Sequence, residues 1–303
     1  MDEIKQMLAK RRPSLSESTF TKEQFTSFVR ANRDAANKPA IIRDVAPIIW
    51  GRTHMFRAQN VDFIRLQEIS RAPTYNGPIR AKPDYFEGVR REDIDLRIQQ
   101  SLIGYIVPHP DPCYPALPNL FAEYKSDDGS QRVAMLKACY EGALGARGMW
   151  KFQMFGEPTP TFDNRAYTIT MTYCAGLLCL NSVHLAKSNS SNSDLEYHQC
   201  RIDSWSIVGN RRSYLDAATA YRNACEWAEK QRREALNQAH ARLAAANGDT
   251  PTSTSPPFAT APPPSSLTPS RPYRTRALQA KRLATVKRLP ATKRRANRRK
   301  PTT

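Results

Sequence analysis

The chain has 303 residues, of which 40% are hydrophobic, and its formal net charge is +18. This length and composition allow one large domain or two modest ones with a buried core, and they exclude a chain that is too polar to fold. The longest nearly apolar run, from Tyr173 to Leu180, is far shorter than the roughly 20 residues that a membrane-spanning helix needs. The N-terminus is charged from its second residue, so we expect no secretory signal.

Two helices are predicted in the N-terminal part of the chain. Thr21 and Gln24 have the spacing of a capping box, and the apolar residues that follow recur with a helical period, which predicts a helix over residues 22–36. A second helical pattern follows it. We expect a kink in this second helix at Pro47 and its end at Gly51.

Two short strands are predicted next, separated by a helix. Asp84 stands at the head of the first strand, in the sequence KPDYFEG, which Gly88 ends. The helix has apolar residues spaced by four and is expected to end near Gly104. In the second strand, NLFAEYKS, Glu123 and Lys125 point to the same face because they are two residues apart. The earlier segment VDFIRLQEI fits a strand or a short helix, and its pattern does not distinguish them.

The rest of the domain is predicted as a helix, a hairpin, a strand and a long helix. Ser130 is a good N-cap for a helix with glycines at 142, 145 and 148, which permit close packing or end the helix early. The run AYTITMTYCAGLLCLNSVHLA alternates around an Ala-Gly turn, which predicts a hairpin. The segment YHQCRIDSWSIV is consistent with a further strand, and a helix of about thirty residues follows it.

The composition changes after the last predicted helix. A stretch rich in Pro, Ser and Thr leads into a basic segment that has 13 Lys and Arg residues and no acid between Arg271 and Lys300. Such sequences cannot bury enough apolar surface to fold, so we expect this tail to be disordered. The predicted organisation is a flexible N-terminal segment over 1–20, a folded domain over 21–246, a linker over 247–270 and a disordered basic tail over 271–303.

The basic tail indicates the partners and the location of the protein. Basic clusters bind phosphate backbones without sequence selectivity or serve as nuclear-import signals. We therefore expect nucleic acid, with DNA favoured, and an import receptor as partners, no membrane, and a nuclear location, with the cytoplasm as the alternative. The six cysteines lack CxxC spacing, which predicts reduced thiols in the cytosol or nucleus. The residues expected to bind nucleic acid are Arg294, Arg295, Arg298, Arg299 and Lys300.

Asp84, Glu123 and Lys125 together have side chains suited to phosphodiester hydrolysis. Mg²⁺ prefers hard oxygen ligands and few carboxylates, and Asp84 and Glu123 supply two of them if their strands are neighbours. Lys125 can orient or deprotonate the attacking water or stabilise the pentavalent phosphorus, and the backbone carbonyl of Tyr124 can add a metal ligand. Asp44 is a weak candidate for a supporting acid. An isolated Glu-x-Lys pair is more often a solvated ion pair.

At these residues the sequence resembles the PD-(D/E)XK nuclease superfamily, which has the restriction-endonuclease-like fold. KPDYFEG supplies the Pro-Asp pair, AEYKS supplies Glu123, Tyr124 and Lys125, and the helix and hairpin that follow fit the order of the common core. With the runs GALGARGM and AYTIT, the chain is more closely similar to a large group of fungal proteins assigned to that superfamily. The resemblance covers roughly residues 20–235 and leaves out the basic tail.

The resemblance implies an α/β fold with a mixed central sheet flanked by helices, added N-terminal helices, a long C-terminal helix and the disordered basic tail. It implies a nuclease dependent on Mg²⁺ or Mn²⁺, in which Asp84, Glu123 and the Tyr124 carbonyl hold the metal and Asp84, Glu123 and Lys125 are catalytic. The alternative is a catalytically inactive nuclease fold that binds nucleic acid or a partner in the nucleus. The chain departs from the pattern at Lys137, where the fungal group favours glutamine.

Overall fold

The structure is a computed structural model, and it describes residues 2–51, 55–69, 80–188 and 195–246. Within these ranges the fold is mixed α/β, with a six-stranded mixed sheet, helices on both of its faces and a long C-terminal helix. The coarse fold class expected from the sequence is therefore confirmed. The predicted linker and basic tail, residues 247–303, lie outside the described residues.

The helices and strands of the described residues are as follows. The α-helices are α1 (Asp2–Leu8), α2 (Lys22–Asp34), α3 (Lys38–Ala40), α4 (Ala46–Trp50), α5 (Leu96–Ile106), α6 (Gln131–Gln153) and α7 (Arg211–Ala246). The strands are β1 (Arg57–Ala58), β2 (Tyr85–Val89), β3 (Ala116–Lys125), β4 (Thr168–Cys174), β5 (Leu177–Lys187) and β6 (Leu195–Ser206). A π-helical turn, Ile41–Val45, joins α3 to α4, and 3₁₀ turns lie at Pro13–Leu15 and Arg91–Asp93. Among these helices, none is long and apolar enough to cross a membrane.

The six strands lie across the sheet in chain order, from β1 to β6. Strands β3 and β4 are parallel, and the other neighbouring pairs are antiparallel. A parallel pair needs a crossover connection, which α6 provides. Phe121 of β3 packs in a cluster with Leu144 of α6, whereas Leu120 and Ala122 face the N-terminal helices and α7. Because side chains alternate along a strand, Glu123 points toward α6.

Helix α6 approaches the sheet closely through its glycines. A Cβ atom at Gly145 would lie 2.5 Å from Cε2 of Phe121 and 2.9 Å from the carbonyl oxygen of Pro118. At Gly142 it would lie 2.7 Å from side chains of the sheet. The glycines therefore permit close packing rather than ending the helix, which continues to Gln153. This close approach brings the polar side chains of α6 to β3.

Helix α7 crosses the opposite face and contacts three separate parts of the chain. Asn223 donates a hydrogen bond of 2.7 Å to the carbonyl oxygen of Leu8. Further along the helix, the guanidinium of Arg232 lies 4.0 Å from the carboxylate of Glu87 in β2, and both side chains are fully buried. Near the end of α7, Arg242 donates hydrogen bonds to backbone carbonyls at the end of α6. The N-terminus, the sheet and α6 thus all form hydrogen bonds or ion pairs with α7.

Several local predictions are confirmed. The capping box at Thr21 and Gln24 is formed, and the Ala-Gly turn joins β4 to β5. A π-helical turn precedes Pro47, where a kink was expected, and Ala46 donates its N–H to the carbonyl of Ile41, five residues back. The segment VDFIRLQEI is an exception, because it was expected to be a strand or a short helix and is irregular. All six cysteines are described, and none forms a disulfide.

The N-terminal segment differs from the expectation. The residues before Thr21 were predicted to be flexible, yet they contain α1 and a 3₁₀ turn. Leu8 and Leu15 are buried there, in the same core as the N-terminal half of α7. Ile4, Met7 and Leu8 have helical spacing and pack on this core, so a local signal for α1 was present. The burial of these residues depends on contact with a helix about 200 residues away, which no local pattern reveals.

Candidate active site

Asp84 and Glu123 are brought together by the pairing of β2 with β3. Tyr85 is opposite Ala122 in this antiparallel pair, so Asp84 lies opposite Glu123. The Asp84 N–H donates a hydrogen bond to Glu123 Oε1 at 3.2 Å, and the Tyr124 N–H donates one to Asp84 Oδ2 at 2.8 Å. Both acidic side chains are buried. The two residues predicted as metal ligands therefore converge in space, although 39 positions separate them.

Each of these two carboxylates has a lysine counter-ion from a different helix. Lys38, the first residue of α3, forms an ion pair with Asp84. Lys137 of α6 lies 2.5 Å from Glu123 Oε1 and also donates a hydrogen bond of 3.1 Å to the carbonyl oxygen of Lys82. Each lysine side chain is 32% exposed, whereas the carboxylates are buried. Each lysine therefore extends from the partly exposed surface to a buried acid.

A third acid, Glu141, lies one turn after Lys137 on α6. Its Oε1 is 3.9 Å from Lys137 Nζ, and its side chain is 1% exposed. Within the described residues, both carboxyl oxygens of Glu141 and Oε2 of Glu123 are buried without a hydrogen-bond partner. Buried polar atoms are rarely left without a partner. A proton on Glu141 would join this residue to Glu123 by a hydrogen bond, and a bound cation would satisfy the same three oxygens. We refer to Asp84, Glu123 and Glu141 as the carboxylate cluster.

Burial and mutual repulsion shift the acid-base equilibria of the cluster. Burial raises the pKa of Glu123, the charge of Asp84 raises it further, and Lys137 acts in the opposite direction. Burial also raises the pKa of Glu141 well above its usual value, and Glu123 adds to that increase. Burial alone would lower the pKa of Lys137, but the attraction of Glu141 and Glu123 raises it. Burial thus opposes ionisation of Glu141, whereas the neighbouring acids favour the charged form of Lys137.

Lys125 forms no ion pair with the carboxylate cluster in the described part of the chain. It is the last residue of β3, is partly exposed, and packs against the position of Gly129 in the loop before α6. The ammonium group in contact with Glu123 belongs to Lys137. The structure thus adds Lys137 to Lys125 as a candidate for the catalytic lysine.

Tyr124 presents its backbone to the cluster and its side chain to the opposite face. Its N–H binds Asp84, and its hydroxyl accepts a hydrogen bond of 2.6 Å from Trp50 Nε1. The aromatic ring is fully buried in the core. A metal ligand at this residue can therefore come from the backbone alone.

Asp44, the weak candidate for a supporting acid, lies elsewhere. Its partly exposed carboxylate accepts two hydrogen bonds, of 2.8 and 2.7 Å, from the neighbouring Arg43. The acid that the structure places beside Glu123 is Glu141. The residues predicted to bind nucleic acid, Arg294, Arg295, Arg298, Arg299 and Lys300, lie outside the described residues.

Lys38, Lys137 and Glu141 were not predicted as site residues. A signal was present for two of them, because Lys137 and Glu141 are four residues apart on α6, and Glu141 and Gly145 are also four apart. Charged residues on a helix face that a glycine marks as closely packed are unusual. Lys38 had no such signal, since 46 positions separate it from Asp84.

Comparison with known proteins gives no assignment. No family model, curated protein or solved structure matches the chain.

The donor atoms of the carboxylate cluster suit a divalent cation. Carboxylate and carbonyl oxygens are the ligands that Mg²⁺ prefers, and some of these oxygens lack a hydrogen-bond partner among the described residues. The described side chains nevertheless include no group of three or more His, Cys, Asp and Glu that is arranged to hold an ion. The ammonium of Lys137 is within 4 Å of both Glu123 and Glu141. The donor chemistry thus fits a cation, while a lysine provides the positive charge.

Proposed function

We propose that the carboxylate cluster is the active centre of a metal-dependent nuclease that hydrolyses phosphodiester bonds of nucleic acid, with DNA favoured. The observation that carries this proposal is the convergence of Asp84 and Glu123, from neighbouring strands, beside the ammonium of Lys137. Buried acids with shifted pKa values and a specific charged partner are typical of functional sites. Mg²⁺ or Mn²⁺ is the proposed cofactor.

The residues of the cluster have distinct roles in this chemistry. Hydrolysis adds a water oxygen to phosphorus, breaks an ester P–O bond and requires a proton on the leaving oxygen. Asp84, Glu123 and the Tyr124 carbonyl would hold the cation. A bound Mg²⁺ or Mn²⁺ supplies a water of lowered pKa and neutralises charge on the phosphoryl oxygens. Lys137 would bind the phosphate and protonate the leaving oxygen, and Lys125 would orient the water.

A restriction-endonuclease-like fold is supported by the order of the elements. The two acids lie on the antiparallel pair β2 and β3, and α6 then leads to the parallel strand β4. This order agrees with the common core that the sequence resembles. Under this proposal the N-terminal helices and the long α7 are additions to that core.

The basic tail is proposed to hold the protein on nucleic acid. Its 13 Lys and Arg residues between 271 and 300 would displace counterions from the phosphates, so affinity would fall steeply as salt rises. The same residues fit a nuclear-import signal and an import receptor as partner. A nuclear location is therefore proposed, with the cytoplasm as the alternative.

Cleavage of plasmid and single-stranded DNA by the full-length protein in Mg²⁺ or Mn²⁺ tests the nuclease proposal. Asp84→Asn removes the charge of one buried acid, and Asp44→Asn makes the same change at an exposed acid. We expect wild type and D44N to cleave and D84N to lose about 100-fold or more, since even outer-shell partners of metal sites contribute about 10- to 100-fold. Equal cleavage by D84N and D44N, or no metal-dependent cleavage by folded wild type, would contradict the proposal.

The second candidate is a catalytically inactive nuclease fold that binds nucleic acid or a partner in the nucleus. It is favoured by the two ion pairs of the site, because Lys38 and Lys137 already balance the charges of Asp84 and Glu123. Under this hypothesis, fluorescence anisotropy shows salt-dependent binding of DNA by wild type, and the same preparation neither cleaves DNA nor binds Mn²⁺. Tight Mn²⁺ binding accompanied by cleavage would rule it out.

A further inference from the structure

We propose that the ammonium of Lys137 is a resident cation of the carboxylate cluster, and that a divalent ion competes with it for the same oxygen atoms. The inference rests on the proposed function only in taking a divalent ion as the competitor. It assigns to Lys137 a control of metal affinity, and to Glu141 the role of an additional oxygen ligand.

The surroundings of the ammonium are those of a cation site. Lys137 Nζ lies 2.5 Å from Glu123 Oε1, 3.1 Å from the carbonyl oxygen of Lys82 and 3.9 Å from Glu141 Oε1. Two carboxylates and one carbonyl from a strand, a helix and a loop therefore surround one positive charge. Such hard oxygen donors are also those that Mg²⁺ and Mn²⁺ accept.

The lysine does not satisfy these oxygens fully. Among the described residues, Oε2 of Glu123 and both oxygens of Glu141 remain buried without a hydrogen-bond partner. A single positive charge also cannot balance two ionised carboxylates, and both Glu123 and Glu141 lie within 4 Å of the Lys137 ammonium. A divalent ion would balance both charges, so the cluster has the donors and the charge for an ion that the lysine replaces only in part.

The lysine can leave without disturbing the carboxylates. Its side chain is 32% exposed, whereas the side chains of Glu123 and Glu141 are only 0% and 1% exposed. The long flexible side chain can therefore turn its ammonium into solvent while the acids keep their positions. Metal binding then includes the cost of breaking the contacts of Lys137, which weakens the apparent affinity.

The test compares Lys137→Gln with a matched control, Lys82→Gln, in the full-length protein. The Lys82 side chain is about half exposed and lies 3.1 Å from Asp62, so K82Q removes the same charge close to the site and leaves the Lys82 carbonyl in place. Binding of Mn²⁺ is measured by isothermal titration calorimetry, with circular dichroism to verify folding. We expect K137Q to bind Mn²⁺ at least about tenfold more tightly than wild type, because a like charge within about 4 Å opposes the ion, and K82Q to bind like wild type.

Each outcome separates this inference from the proposed nuclease function. Tight binding by K137Q, with no Mn²⁺ binding and no cleavage by wild type, supports the inference and refutes the nuclease function. Equal or weaker binding by K137Q, equal gains in K82Q, or binding by neither variant overturns the inference. If K137Q does not bind Mn²⁺ more tightly, or if K82Q gains as much as K137Q, the nuclease function is still supported when wild type cleaves DNA.

A second variant carries the test if K137Q does not fold. Glu141→Gln retains the shape of the side chain and removes the charge of the proposed additional ligand. We expect E141Q to bind Mn²⁺ at least about fivefold more weakly than wild type, since fewer charged ligands lower the affinity of a site. Unchanged binding by folded E141Q overturns the role of Glu141.

Discussion

Replacing Glu141 by glutamine should stabilise the protein in a pH-dependent manner. The carboxyl is 1% exposed, and at 3.9 Å Lys137 offers an attraction of about 4 kcal/mol at an effective dielectric constant of 20. Burial outweighs this attraction, because the pKa of Glu141 is raised well above its usual 4.5. The folded protein therefore keeps a proton that the unfolded chain loses above about pH 4.5, and stability falls as pH rises from there toward the folded pKa.

The magnitude follows from proton linkage. Each pH unit between the unfolded and folded pKa values of Glu141 costs wild type up to about 1.4 kcal/mol, and E141Q does not suffer this loss. Urea denaturation of E141Q and wild type at pH values from 4 to 8 measures this difference in the free energy of unfolding. The free energy of unfolding of E141Q relative to wild type should be constant below pH 4.5 and increase above it.

An exposed glutamate of α7 provides the control for this experiment. Glu234→Gln changes an exposed acid that lies 3.7 Å from Lys230, and it should alter stability by less than about 0.5 kcal/mol at every pH. A difference between E141Q and wild type that does not vary with pH, or that decreases as pH rises, would show that Glu141 is ionised in the folded protein and that Lys137 compensates its charge.

Two further substitutions test the packing of the sheet by urea denaturation. Arg232→Met should destabilise the protein by about 3–5 kcal/mol because it leaves the carboxyl of Glu87 buried without its counter-ion. The double variant with Glu87→Gln should recover most of this loss, and equal losses in the two variants would show that the ion pair is not the cause. Gly145→Ala should cost about 1–3 kcal/mol, although alanine favours helices by about 1 kcal/mol, because its Cβ would lie 2.5 Å from Phe121. A higher melting temperature for G145A would contradict the close packing of α6.

Local signals in the sequence were sufficient for most of the elements. The capping box at Thr21 and the Ala-Gly turn after β4 are determined by residues within a few positions, so their predictions are confirmed. The order of the N-terminal segment was missed although Ile4, Met7 and Leu8 have helical spacing, because three apolar residues do not show that a distant helix, α7, covers them. Short-range periodicity contains no information on such contacts.

The candidate site was predictable to the extent that strand pairing determines it. Asp84 and Glu123 meet because β2 and β3 are neighbours, as the sequence analysis required. The sequence analysis placed Lys125, on the same strand, beside Glu123, whereas in the structure the lysine in contact with Glu123 is Lys137 of α6. Its position depends on how closely α6 approaches the sheet, a distance that packing at Gly145 sets and that spacing along the chain does not encode.

The contacts of α7 have a consequence for synthesis of the protein on the ribosome. Asn223 binds the carbonyl of Leu8, 215 positions earlier, and Arg232 is the counter-ion of the buried Glu87 in β2. Because a chain emerges from its N-terminus, α1 and the buried acid of β2 have to wait for their partners until almost the whole domain has been translated. Contacts of such long range slow folding and leave apolar surface exposed in the meantime. The nascent chain is therefore expected to need protection from aggregation until α7 has left the ribosome.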